Sequence, residues 1–106
     1  MTVGNASISY VNSRTPVLTT GGHLTATTDS SGTAFVKFSA QPCVQLTIAN
    51  NTGTTIEVQQ GGSGAALPIF PASYYTFFGL TDASNLGVRR VDQSTTSVTV
   101  IARWED

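Results

Sequence analysis

The chain has 106 residues, 10% of them charged, a net charge of −1 at pH 7, one lysine and one cysteine. This composition argues against a basic nucleic-acid surface or an acidic-membrane surface, and it excludes an internal disulfide; the length suits one domain. The place of charge is taken by 17 Thr and 11 Ser, and a weakly charged chain near neutrality favours association over a dispersed monomer.

In chain order, residues 1–32 are polar and rich in Gly, Ser and Thr, with short apolar pieces at Ile8–Val11 and Pro16–Leu18. They read as an N-terminal arm or edge strands, and "TATTDSSGT" (25–33) as a loop or linker into a domain spanning 33–106. The first thirty residues hold neither the basic start nor the apolar run of a secretory leader, so none is expected. The Asn5 and Asn50 sequons are discounted accordingly.

From residue 33 apolar alternation is steady, and turn residues recur every eight to twelve positions. "AFVKFSA" (34–40) is the first strand, with Ala34, Val36 and Phe38 on one face and Phe35 and Lys37 on the other; Pro42 ends it. "VQLTIAN" (44–50) and "TTIEVQQ" (54–60) follow, with Leu46, Ile48, Ile56 and Val58 inward. Asn51-Thr52-Gly53 between them predicts a hairpin with Gly53 in the left-handed conformation. "ALPIF" (66–70) belongs at an edge or a bulge, because Pro68 cannot donate a ladder bond. "YYTFF" (74–78) sets Tyr74, Thr76 and Phe78 on one face and Tyr75 and Phe77 on the other. Asp82–Asn85 is turn chemistry. "LGVRRVD" (86–92) loses phase at Arg89-Arg90, through a bulge or a strand end. "SVTVIARW" (97–104) closes the chain, with Val98, Val100, Ala102 and Trp104 on one face. No helical period appears. The expectation is an all-β antiparallel sandwich of jelly-roll or Greek-key type with seven to nine short strands, a small barrel being the alternative.

Signals for chemistry are weak. His23 lies in a Gly-rich segment, and no serine stands in a nucleophile elbow. Asp29, Asp82 and Asp92 fall in turns, where Asp serves the backbone. "QGGSGAAL" (60–67) lacks the Lys and Ser/Thr of a phosphate loop. Cys43 has no ligand-like spacing around it and reads as a buried apolar residue. No enzyme, cofactor or metal is expected. Glu57 and Arg89 both face outward and would pair if their strands are neighbours.

The apolar residues exceed what one core needs. With Val36, Phe38, Leu46, Ile48, Ile56, Val58, Leu86, Val88, Val98 and Val100 inward, Phe35, Ile101 and one of the pairs Tyr74/Phe78 and Tyr75/Phe77 are left outward. Arg89, Arg90 and Arg103 stand among them, and Arg is the charge interfaces favour. These nine residues form the candidate interface. Three covers are open to it: the chain's own N-terminal segment, another protein subunit, or a carbohydrate stacked on the rings.

From Cys43 to Glu105 the sequence also resembles small all-β virion proteins of tailed bacteriophages, among them head decoration (cement) proteins. The stretches that carry this are "VQLTIANNTGTTIEVQQGG", "PIFPASYYTFFGLTDASNLGVRRVDQ" and "VTVIARWE". The resemblance implies a jelly-roll-like fold, a homo-oligomer that is often a trimer, and binding to the major capsid protein or other virion proteins. The place it implies is the surface of the phage particle, after synthesis in the host cytoplasm. An arm reaching a neighbouring subunit is common in such proteins, and residues 1–32 would suit one. A glycan- or receptor-binding module of a tail, neck or fibre is the alternative.

Overall fold

The structure is a computed structural model and describes residues 18–106; the pieces expected at 8–11 and 16–17 lie outside the described residues. Eight strands are described: β1 Gly21–Thr27, β2 Val36–Lys37, β3 Gln45–Asn50, β4 Ile56–Gln60, β5 Leu67–Ile69, β6 Ser73–Phe78, β7 Leu86–Arg90 and β8 Thr99–Glu105. One 3₁₀ turn, Ala83–Asn85, precedes β7. The strands form two four-stranded sheets, A in the order β1-β8-β3-β6 and B in the order β2-β7-β4-β5. Every pairing is antiparallel.

The pairs nest. The first strand pairs with the last, the second with the seventh, the third with the sixth and the fourth with the fifth. The chain is thus one long hairpin folded back upon itself, each half contributing alternate strands to the two layers. That is the jelly-roll arrangement of an antiparallel sandwich, and it satisfies the sequence expectation of fold class.

Alternation places the core as the sequence predicts. Leu46 and Ile48 of β3, Ile56 and Val58 of β4, Leu86 and Val88 of β7, and Val100 and Ala102 of β8 are buried in one cluster with Phe38, Cys43 and Leu80. Each large side chain withdrawn from water this way contributes about 1.5–3 kcal/mol. Pro68 sits on β5, an outer strand of sheet B, where its missing N–H leaves no interior rung unmade. The phase break after Arg89 is resolved as a strand end at Arg90. The strand expected at 34–40 contracts to Val36–Lys37, although Phe38 N–H still bonds the Leu86 carbonyl at 3.2 Å.

Two local expectations are corrected. The segment 25–33 is not wholly a loop: Thr25–Thr27 complete β1, pairing with Ile101, Val100 and Thr99. More consequentially, β3 and β4 do not form a hairpin. β3 belongs to sheet A and β4 to sheet B, so residues 51–55 carry the chain from one layer to the other. Gly53 does take the left-handed conformation (φ +81°), but the turn it serves is a corner.

Asn50 explains the corner. Its carboxamide is fully buried and all its bonding capacity is used. Nδ2 donates to the carbonyls of Thr54 at 2.7 Å and Ile69 at 2.8 Å, while Oδ1 accepts from Thr52 N–H at 3.0 Å and Thr52 Oγ1 at 2.6 Å. One side chain therefore pins the end of β3, the connection after it and a strand of the opposite sheet. A buried amide with every valence met costs little, and it directs the chain across the layers. This Asn is no glycosylation acceptor while folded.

Candidate functional site

The register of sheet A settles which aromatic face of β6 looks inward. Leu46 stands opposite Phe77 and Ile48 opposite Tyr75, and directly opposed residues share a face. Tyr75 and Phe77 are therefore on the core side. Phe77 packs against the core, and the two rings meet edge to face at 4.9 Å. Tyr75 stays half-exposed because β6 is the last strand of the sheet.

The opposite face of sheet A forms three rows across the strands. One runs Thr25, Ile101, Ala49, Tyr74; the next His23, Arg103, Thr47, Thr76; the third Gly21, Glu105, Gln45, Phe78. Tyr74 is 73% exposed, Phe78 71% and Ile101 39%. Thr47 and Thr76 join through their hydroxyls at 2.7 Å, and Gln45 Nε2 donates to Glu105 Oε1 at 2.7 Å. Arg103 makes no ion pair among the described residues. His23, Thr47, Ala49, Ile101 and Arg103 line a shallow hollow of about 170 Å³ at the centre of this face. The outcome is a broad, weakly polar surface with two standing aromatic rings and one cation.

The outer face of sheet B is arranged differently. Arg89 Nε bonds Glu57 Oε1 at 2.6 Å across the register that pairs the two residues, as their outward placement predicts. Arg89 Nη1 donates to the Thr33 carbonyl at 2.8 Å, and its guanidinium covers the Phe35 ring at 4.3 Å. Beside this cluster, Lys37, Gly87 and Gln59 stand in one row. Gly87 has no side chain to fill the row, and a Cβ there would meet Phe35 Cβ at 3.2 Å. A depression of about 450 Å³ results, walled by Phe35, Lys37, Gln59, Gly62 and Asn85.

The nine candidate residues thus fall into separate groups. Tyr74, Phe78, Ile101 and Arg103 come together on the outer face of sheet A. Tyr75 and Phe77 line its inner side. Phe35 and Arg89 bind each other on sheet B. Arg90 is occupied in a two-pronged bond to Asp92, at 2.9 and 2.8 Å, and in a bond to the Thr96 carbonyl.

Three carboxylates, Asp29, Asp82 and Asp92, are engaged in local hydrogen bonds. Asp82 accepts from Ser84 N–H at 2.9 Å and Gln41 N–H at 3.0 Å, and these bonds, Ser84's first, hold its carboxyl below the ordinary range. Asp92 is held low chiefly by the Arg90 side chain, and Asp29 by Ser31. Burial, with the nearby charges of Asp82 and Asp106, pushes the Cys43 thiol up, which suppresses the thiolate. No three His, Cys, Asp or Glu side chains gather into a metal-binding group among the described residues. His23 makes no bond to a carboxylate among them.

No protein-family model matches the sequence, and no curated protein does. Among solved structures the chain is similar to a de novo designed double-stranded β-helix determined by solution NMR. The TM-score is 0.44 and the identity 19%, over 83% of this chain and 100% of that one.

Proposed function

We propose that this chain is a non-enzymatic structural protein of a virion, a decoration protein that stabilises a phage head through contacts with the major capsid protein and with copies of itself. The observation that carries the reading is the outer face of sheet A, where Tyr74, Phe78 and Ile101 stand exposed in one register block beside Arg103, which makes no ion pair among the described residues. The resemblance of residues 43–105 to phage decoration proteins supplies the setting.

The work requires no turnover. Each aromatic ring buries about 150–250 Å² when covered, and at about 25 cal/mol per Å² two rings offset part of the cost of association. Binding to the assembled shell and not to its dissociated subunits stabilises the shell by mass action. Repeated sites on a symmetric lattice multiply weak contacts.

The test is co-sedimentation of the purified chain with phage capsids stripped of their accessory proteins. The expected outcome is saturable binding that Tyr74→Ser with Phe78→Ser abolishes while the melting temperature stays within a few degrees. Absence of binding by the folded wild-type chain would overturn the proposal.

A glycan- or receptor-binding role on a tail, neck or fibre is the second reading. It is favoured by the depression floored by Gly87, where Lys37, Gln59 and Asn85 offer polar groups beside the Phe35 ring. Glycan-array binding that Gly87→Val removes would establish it over the first.

A further inference from the structure

We propose that two copies of this chain join edge to edge through β6, their A sheets becoming one continuous eight-stranded sheet about a two-fold axis at Thr76. The inference deepens the homo-oligomer part of the proposed function, and it stands without the capsid.

An outermost strand carries unpaired N–H and C=O groups on alternate residues, and folded proteins ordinarily block such edges. Two of the four edges here are blunted, and a third is poor in side chains at its start. β2 is two residues long, β5 is three residues long and contains Pro68, and β1 opens with two glycines that have no side chains to pack across a seam. β6 has six residues, no charge, no proline and no bulge in its register with β3. Two of its rings, Tyr74 and Phe78 on the outer side, are the most exposed among the described residues, and Tyr75 is half-open on the inner.

The occupant follows from the sequence of the edge. Tyr-Tyr-Thr-Phe-Phe reads the same in chemical type in both directions from Thr76. An antiparallel copy with the axis at Thr76 sets Thr76 against Thr76, Tyr75 against Phe77 and Tyr74 against Phe78. These are the aromatic–aromatic and Thr–Thr cross-strand pairs that favour sheets. Shifting the axis by one residue in either direction sets Thr76 against an aromatic residue and breaks the match. The contact is isologous, so it closes as a dimer and does not propagate. It continues a row the structure already contains, since Thr76 is bonded to Thr47 by its hydroxyl. Absence of charge at the seam removes the repulsion that would otherwise separate two identical strands.

The pairing makes the outer face of sheet A twice as wide and leaves it free for a capsid. It also gives a dimer where the resemblance to decoration proteins implies a trimer.

The test uses the wild-type chain and Thr76→Cys. A two-fold axis at residue 76 brings the two Cα atoms to about 4.5–5.5 Å, within disulfide range. Mild oxidation of the variant is expected to give a covalent dimer. The wild type, whose only thiol is the buried Cys43, should give none, and Thr25→Cys on the other edge of sheet A should give none. In the wild type, amides of β6 should exchange more slowly as concentration rises, a readout free of any folding defect in the variants. Thr76→Lys, which opposes two like charges, should weaken association about tenfold or more. A wild type that sediments as a monomer at about 100 µM, well above the Kd of a specific dimer, overturns both the dimer and the homo-oligomer reading. An oligomer that forms without the residue-76 cross-link, or with β6 amides unprotected, overturns the edge pairing alone.

Discussion

Sheets A and B have the same four-strand layout and the same apolar lining, yet they treat their outer faces in opposite ways. Sheet B covers its own: Glu57 neutralises Arg89, and Arg89 lies over Phe35 and bonds the Thr33 carbonyl. Sheet A leaves Tyr74, Phe78 and Ile101 open, with Arg103 unpaired among the described residues. One sandwich thus has a finished side and an unfinished side, and the proposed partner surface rests on that contrast rather than on hydrophobicity alone.

The largest effect is expected where the two sheets are tied together. Asn50→Leu removes four hydrogen bonds and strands the buried Ile69 carbonyl, at a cost of about 3 kcal/mol; urea unfolding would measure it. A change under about 1 kcal/mol would mean that the corner is held by other contacts.

The second experiment separates the inner and outer faces of sheet A. Phe77→Ser opens a gap in the lining and should cost about 2–3 kcal/mol. Phe78→Ser should alter stability by no more than about 0.5 kcal/mol while weakening assembly. Equal losses of folding in both variants would erase the distinction between the faces.

A third change makes sheet B imitate sheet A. Arg89→Ala uncovers Phe35 and unpairs Glu57, for about 1 kcal/mol of stability. In a double-mutant cycle with Glu57→Gln the coupling should be about 0.2–1 kcal/mol, as suits a partly exposed pair. Gain of self-association in Arg89→Ala would show that the covering, not the sheet, is what keeps sheet B inert.

The smallest effect is with acid. The Asp82, Asp92 and Asp29 carboxyls are held below the ordinary 3.8 by hydrogen bonds made in the fold. A depressed carboxyl contributes stability that is complete above its unfolded value and is lost as pH falls through the folded one. The melting temperature should therefore be flat near neutrality and decline below about pH 4. Asp82→Asn should remove a share of that decline.

Much of the fold was legible in the sequence. A strand's two-residue period states which side chains go in, and that was enough for Leu46, Ile48, Ile56, Val58, Val88 and Val100. The edge position of Pro68 followed from a missing donor, and the Glu57–Arg89 bond from their shared outward phase. Period does not name partners. The segment Asn51-Thr52-Gly53 has hairpin composition, and only the burial of Asn50, three-dimensional in origin, makes it a corner. Its one sequence trace is parity: Asn50 continues the inward series of Leu46 and Ile48. β1 was hidden because Thr and Gly dominate it, although Leu24 and Ala26 alternate with His23, Thr25 and Thr27 as a half-buried strand requires. Which pair of β6 aromatics faces out depended on register against β3, which no local pattern contains. The depression on sheet B announced itself only as a glycine within a strand, at Gly87.

The nested pairing also bears on how the molecule comes into being. Partners in β4 and β5 are a dozen residues apart, whereas Gly21 must find Glu105. Each rung made near the middle of the chain shortens the segment still to be closed by the next. Folding can zip outward from the Gly61–Gly64 turn, and the outermost rung, β1 with β8, closes last. A circular permutant with new ends at Gly62 would remove that starting point, and it should fold more slowly with its core unchanged.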